Sequence, residues 1–207
     1  MYQRVTKRLL DVVLSILGIL LLALPMVLIA LAVFLDDPGP VLFWQKRVGR
    51  KKNGQLTYFR ICKFRTMGRS APHDVPTHLL ADPERHITTV GAFLRKASLD
   101  ELPQLFQVLT GQLSFVGPRP ALWTQADLIL EREKHGANDV RPGITGWAQI
   151  NGRDTLSVPV KARYDGEYAA AMKAGGFRAF RMDLRCLMGT VRCVLRSEGV
   201  VEGRPAE

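Results

Sequence analysis

From Val12 to Leu35 the chain runs 24 residues without a charge, long enough to cross a bilayer as one helix. Pro25 interrupts the run, where it removes a backbone hydrogen bond and bends a helix that contains it. Basic residues stand on both sides: Arg4, Lys7 and Arg8 before, then Lys46, Arg47, Arg50, Lys51 and Lys52 after. Positive charge near both ends favours keeping both on the cytoplasmic side. The pattern predicts a helix that enters the membrane, breaks near Leu24-Pro25 and returns, with its freed backbone groups satisfied inside the protein. A kinked single span is the alternative. Ala30-Leu31-Ala32 imitates a signal-peptide cleavage site, but the apolar run exceeds the roughly 7–15 residues of a signal, and nothing downstream looks secreted.

After Pro38-Gly39-Pro40, two β-prone runs at 41–48 and 56–66 surround Asn53-Gly54. They predict a hairpin with a loop longer than the tightest kind. Lys63 and Arg65 alternate with Cys62 and Phe64, so both basic side chains fall on one strand face, a common place for merely solvated charge. Residues 69–89 are polar and contain Pro72, Pro76 and Pro83, which reads as a loop with His73, His78 and His86 at the surface.

The helical period returns in Leu94–Pro120. Leu102, Phe106 and Leu109 share a face, with Leu105 and Val108 beside them, and Gly111 is a C-terminal stop. Two starts fit. Ser98 and Glu101 make a capping box, whereas Asp100 as N-cap would put Pro103 in the first turn. Either way Asp100 and Glu101 sit at the positive end of the helix dipole. Acidic residues favour first turns without any function. An ionised aspartate is also a nucleophile, and a neighbouring carboxylate can hold a divalent cation. Adjacent helical residues point about 100° apart, so division of labour suits the pair better than a shared proton. Arg119 follows, fixed between Pro118 and Pro120, a geometry suited to bidentate phosphate contact.

Residues 121–139 read as a charged helical segment. RPGITGWAQINGRD then supplies Arg141, Gln149 and Arg153 among glycines that permit turns and close approach, and Trp147 either fills the core or stacks on a base. In Phe177–Arg196, Phe180, Leu184, Leu187, Val191 and Val194 recur at spacings of three and four, beside a stripe of Arg178, Arg181, Arg185, Arg192 and Arg196. That division suits an anionic membrane surface. The predicted architecture is mainly α with a small β-hairpin. A re-entrant membrane helix occupies 1–37, and a cytosolic-face catalytic domain with interfacial amphipathic helices occupies 38–207.

Composition sharpens this. Of 29 basic and 19 acidic residues, three of each lie in 1–37, so the whole net charge of +10 falls in residues 38–207. A basic globule implies anionic partners. The three cysteines are sparse and the four histidines lack ligand spacing, which argues for reduced packing thiols and against structural zinc.

SLDELPQL, LSFVGPRP and RPGITGWAQINGR, in that order, resemble the bacterial sugar transferase family, the small monotopic phosphoglycosyl transferases. The likeness runs from Lys7 to about Arg196. It implies a helix broken at the proline, a UDP-sugar and undecaprenyl phosphate as substrates, and a place on the cytoplasmic face of the bacterial inner membrane. It further implies Asp100 as nucleophile, Glu101 as ligand to Mg²⁺, and Lys63, Arg65, Arg119, Arg141, Gln149 and Arg153 around the substrate, while Arg95, just before the acids, either pairs with a phosphate there or meets lipid headgroups. The tail VLRSEGVVEG is similar to enzymes that initiate bacillosamine-type glycans, which implies an N-acetylated amino sugar. A membrane scaffold would give no reason for the Asp-Glu pair beside PRP. A nucleic-acid binder would need aromatic platforms among its basic residues, and none is interleaved there. A polyprenyl phosphatase would share the metal and the arginines but make no lipid-linked sugar.

Overall fold

In the computed structural model, which describes residues 2–3, 5–71, 83–152 and 155–196, the uncharged run is one helix, α1 (Thr6–Asp36). The expected break is absent: helical structure continues through Pro25. Few of its residues are buried, and Leu17, Leu20, Leu21, Leu24, Val27, Leu28, Leu31 and Leu35 are exposed. Its length and composition suffice to cross a membrane. Yet both ends dock on the same body. At the start, Lys7 Nζ pairs with Asp183 at 2.9 Å, and Arg8 donates to the carbonyls of Val108 and Leu109 at 2.6 and 2.7 Å. At the end, Asp36 accepts from Val90 N at 2.9 Å, and Asp37 receives Arg65.

The hairpin forms as predicted, with β1 (Leu42–Val48) antiparallel to β2 (Tyr58–Phe64). At its tip Lys52 and Gln55 bridge around Asn53 and Gly54, whose φ values of +50° and +79° are the left-handed pair that Asn-Gly favours. Residues 72–82 lie outside the described residues, and with them His73, His78 and the middle of the expected loop. The short helix α2 (Pro83–His86) and α3 (Thr89–Lys96) follow. Thr88 caps α3 by accepting from Gly91 N at 3.0 Å.

Neither expected start of the next helix is used. Ser98 sits in the left-handed region with φ +55° and makes no capping bond. Leu99–Glu101 is a 3₁₀ turn, and α4 (Gln104–Thr110) begins only after Pro103. Proline at the helix boundary wastes no donor, which explains the late start. Of the apolar positions, Leu105 and Val108 face inward together with Gln104 and Gln107, while Phe106 is exposed.

A second small sheet was not foreseen. β3 (Ser114–Val116) runs parallel to β4 (Gly143–Thr145), pairing Ser114 with Gly143 and Val116 with Thr145. Here the glycines matter: a Cβ on Gly143 would lie 2.1 Å from Gly117 N, and one on Gly146 2.2 Å from Gly117 O. The VGPRP and RPGITGW segments therefore touch backbone to backbone. Between them lie α5 (Ala126–Lys134) and a 3₁₀ turn (Ala137–Asp139).

The C-terminal third is helical: α6 (Trp147–Ile150), α7 (Val158–Ala174) and α8 (Gly176–Arg196). Tyr168 is buried on α7, and its hydroxyl donates to Val116 O and Asp183 Oδ1, each at 2.8 Å. The face that α8 turns inward carries small and polar residues, Ala179, Asp183 and Cys186, all buried. Its larger apolar residues, Phe177, Phe180, Leu184, Leu187, Met188 and Val191, are exposed. Trp147 packs at the core's edge and donates to Glu167 at 2.8 Å, so it takes the core fate rather than a stacking one.

Candidate functional site

Asp100 and Glu101 occupy the 3₁₀ turn between α3 and α4. They meet the hairpin because Gln107 of α4 is stapled to β2. Its Oε1 accepts from Cys62 N at 2.8 Å and its Nε2 donates to Arg60 O at 2.6 Å. That fixes the register one residue before Lys63 and aims Lys63 the opposite way from buried Cys62. Lys63 Nζ donates to Glu101 Oε1 at 2.7 Å and lies 3.6 Å from Asp100 Oδ2.

Arg119 closes the other side, with Nη2 2.7 Å from Glu101 Oε1 and Nη1 3.5 Å from Oε2. Its loop is held by β1. Val48 N donates to Ala121 O at 2.9 Å, and Arg47 Nη1 to Pro120 O at 3.1 Å while Nη2 donates to Gln45 at 2.6 Å. Burial and the Arg119 charge lower the Arg47 pKa to about 10. Arg95 Nε donates to Thr66 Oγ1 at 2.8 Å, and its charge reaches Asp100.

The two acids are tuned in opposite directions. Burial raises Asp100, aided by the Glu101 charge and opposed by Lys63. Burial also works against Glu101, but the charges and hydrogen bonds of Arg119 and Lys63 prevail and hold it well below the usual carboxylate range. Glu101 is thus the fixed anion, and Asp100 the acid whose charge is the less fully offset.

Of the sequence-predicted residues, Lys63, Arg95 and Arg119 gather around the acids. Arg65 does not. It follows the last paired residue of β2 and reaches back to Asp37, bonding its carbonyl and standing 3.4 Å from its carboxylate, where a cation complements the C-terminal end of α1. Arg141 points elsewhere too, with Nη1 3.9 Å from Asp11 Oδ2. Asp11 itself accepts from Ser114 Oγ at 3.0 Å and Phe115 N at 3.1 Å. Gln149 is buried on α6 and donates to Ile144 O at 3.1 Å. Arg153 lies outside the described residues.

Arg47 and Gln107 escape sequence reasoning because one reads as flanking charge and the other as a polar gap in a helix. The available signals were a basic residue in the inward register of β1, and a glutamine inside an apolar run, which needs buried partners.

Among the described residues, no three of His, Cys, Asp and Glu gather as a metal cage. Two adjacent carboxylates remain, one of them held ionised. That hard-oxygen donor set fits Mg²⁺, which commonly takes one or two protein carboxylates and completes its shell with waters and substrate phosphates. Cys62 and Cys186 are buried, and burial pushes their thiols up to about 11 and about 12, which leaves them inert.

The chain is 40% identical over 196 residues to the "Uncharacterized sugar transferase EpsL" of Bacillus subtilis (strain 168), a match covering 95% of this chain and 90% of that one. It is 43% identical over 178 residues to the "UDP-glucose:undecaprenyl-phosphate glucose-1-phosphate transferase" of Escherichia coli (strain K12), covering 80% of this chain but 36% of the relative. With the "Undecaprenyl-phosphate galactose phosphotransferase" of Salmonella typhimurium it shares 33% identity, covering 95% of this chain and 42% of the other. The chain therefore spans nearly all of one such relative and well under half of the other two. A family model described as "Bacterial sugar transferase" matches residues 2–197, and on that extent of agreement the protein belongs to the bacterial sugar transferase family.

Proposed function

We propose that this protein transfers a sugar-1-phosphate from a UDP-sugar to undecaprenyl phosphate, releasing UMP, as the first membrane step of glycan assembly. The observation that carries the reading is the Asp100–Glu101 pair, tuned in opposite directions and ringed by Lys63, Arg95 and Arg119. A diphosphate has to meet a carboxylate there, and two anions approaching at interfacial dielectric repel by about 4 kcal/mol at 4 Å. The three cations offset that repulsion.

Asp100 attacks the phosphorus that bears the sugar. A bond from its Oδ to phosphorus forms as the bond from that phosphorus to the UMP oxygen breaks, and UMP carries the electron pair away. An oxygen of undecaprenyl phosphate then attacks the same phosphorus and restores the Asp100 carboxylate. Asp100 suits the nucleophile's role because burial raises its basicity, and Glu101 suits the fixed anion's role. Glu101, with Asp100 adjacent, would hold Mg²⁺, which supplies charge neutralisation for phosphoryl oxygens when bound. Arg119 and Lys63 steady Glu101 and face the transferring phosphate; Arg47 keeps the Arg119 loop in place.

The membrane reading rests on where the apolar side chains go. Exposed leucines on α1, Phe93 and Phe106 on α3 and α4, and the Phe180–Val191 stripe of α8 leave large hydrophobic side chains bare. Both ends of α1 are tied to one body, which favours a monotopic seat over a span; the cytoplasmic face is proposed for 38–207 from the basic residues on both sides of the apolar run. Curated relatives are named for glucose, for galactose and, in Aeromonas hydrophila, for N-acetylgalactosamine, so membership alone leaves the sugar open; an N-acetylated amino sugar is the form proposed here. The test is a panel of UDP-sugars in nanodiscs containing undecaprenyl phosphate. Mg²⁺-dependent UMP release with a radiolabelled lipid product is expected for an N-acetylated donor, and release of inorganic phosphate from the lipid alone would instead make the protein a phosphatase.

A further inference from the structure

Just past β2 the chain pairs with the segment that leads into α3. Met67 bridges Ile87 in antiparallel fashion, Gly68 N donates to His86 O at 2.7 Å, and Thr88 N donates to Thr66 O at 3.1 Å. Thr66 meets the same helix twice more, because Thr88, Gly91 and Arg95 stand at spacings of three and four and so share a face. At Gly91 the backbones touch: a Cβ there would lie 2.2 Å from Thr66 O and 2.8 Å from Thr66 Cα. One turn on, Arg95 Nε donates to Thr66 Oγ1 at 2.8 Å.

Both partners are braced from outside. Arg65, next to Thr66, bonds the Asp37 carbonyl, and Asp36 accepts from Val90 N at 2.9 Å, so the end of α1 holds the strand and the start of α3 together. Thr66 is buried and Arg95 half-buried, where a hydrogen bond fixes its partners more firmly than at an exposed surface. Lys63 lies three residues before Thr66, and Asp100 five residues after Arg95. The Thr66–Arg95 bond therefore ties together the two segments that supply the site. Thr66 has no charge to offer a phosphate, so its contribution passes through Arg95, whose charge reaches Asp100.

We propose that Thr66 is a positioning residue for the transfer reaction: its hydroxyl fixes the Arg95 guanidinium for the phosphate that Asp100 attacks. This role rests on the transferase reading above and assigns the bond that holds one of its cations in place. Arg95 keeps its charge wherever it points, but a guanidinium is a planar fork whose contacts depend on its orientation. The acceptor on Thr66 sets that orientation before substrate arrives.

Two substitutions separate the hydroxyl from the side chain's shape. Thr66→Val keeps the branched shape and loses the acceptor; Thr66→Ser keeps the acceptor and loses the methyl group. The full chain is assayed for UMP release in nanodiscs with undecaprenyl phosphate, Mg²⁺ and the UDP-sugar that the parent turns over fastest. Thr66→Val should lower kcat roughly tenfold with KM for the sugar nucleotide within about twofold, as for a group misplaced by a fraction of an ångström. Thr66→Ser should stay near the parent. In an Arg95→Ala background Thr66→Val should cost little more, because the two side chains act as one unit. A Thr66→Val chain as active as the parent overturns the proposal. So does a Thr66→Ser chain as impaired as Thr66→Val, which would make the role one of packing, or a tenfold loss that persists without Arg95. Should Thr66→Val melt below the assay temperature, Thr66→Ala takes its place in the cycle and the same outcomes decide. A parent that releases no UMP from any donor contradicts the transferase reading and takes the Thr66 role with it; an active parent with an unaffected Thr66→Val removes the Thr66 role alone.

Discussion

The ammonium of Lys63 lies 2.7 Å from Glu101 and 3.6 Å from Asp100, so one cation from the hairpin serves two adjacent acids unequally. Its removal should act on Asp100 through charge alone. Burial already raises the Asp100 pKa and Lys63 opposes that rise. Losing the cation therefore raises it further. Turnover needs the carboxylate, so activity falls as pH drops through the Asp100 pKa. In Lys63→Met the acid limb of kcat/KM should move to higher pH, while kcat on the plateau falls roughly 10²-fold, as for loss of one preorganised donor. An unmoved limb would take Lys63 out of the site.

Arg47 touches neither acid by hydrogen bond, yet it fixes Pro120 and Gln45 together. Arg47→Lys retains the charge but not the fork that spans both oxygens. It should cost roughly tenfold in kcat, with KM for the sugar nucleotide nearly unchanged, because Arg119 is displaced rather than deleted. Equal activity of the lysine variant would mean that charge, not the fork, matters.

Gln107 is a stability prediction. Gln107→Leu leaves Cys62 N and Arg60 O without their partner inside the fold, at a cost of about 2–4 kcal/mol for the two groups. The melting temperature in detergent should drop, and UMP release should fall with it because Lys63 loses its register. A variant that melts as the parent does would show that the staple is dispensable.

Patterning alone reveals the hairpin, the long apolar helix and the tail helix, since each rests on local period and turn chemistry. The Asp100–Glu101 pair and Arg119 are legible as chemistry because their residue types and proline flanks are unusual. Period does not reveal which way a stripe faces. In α8 the large apolar residues point outward and the inward face carries Ala179 and Asp183, while in α4 Phe106 points outward and Gln107 shares the inward face with Leu105 and Val108. An inward-facing core is the usual solution for a soluble globule; here the outward stripes go with the membrane seat proposed for α1. The places that Arg65 and Arg141 take are hidden for a related reason. Each has an acid close in space but far in sequence, Asp37 and Asp11, and long-range pairing leaves no periodic trace.

The outward stripes make their own prediction. Leu20 and Leu24 of α1 are 72% and 68% exposed, so Leu20→Asp/Leu24→Asp should leave the folded body intact. It should abolish co-flotation with vesicles, since each central aspartate costs about 3 kcal/mol in the hydrocarbon. Unchanged flotation would contradict the membrane seat of α1.

The most direct measurement is intact-mass spectrometry of the full chain mixed with Mg²⁺ and its UDP-sugar, with undecaprenyl phosphate left out. The account predicts a stoichiometric burst of UMP and a mass increase equal to one sugar phosphate, mapped by peptide sequencing to Asp100 and missing in Asp100→Asn. UMP release that strictly requires the lipid acceptor, or an adduct that persists in Asp100→Asn, would contradict it.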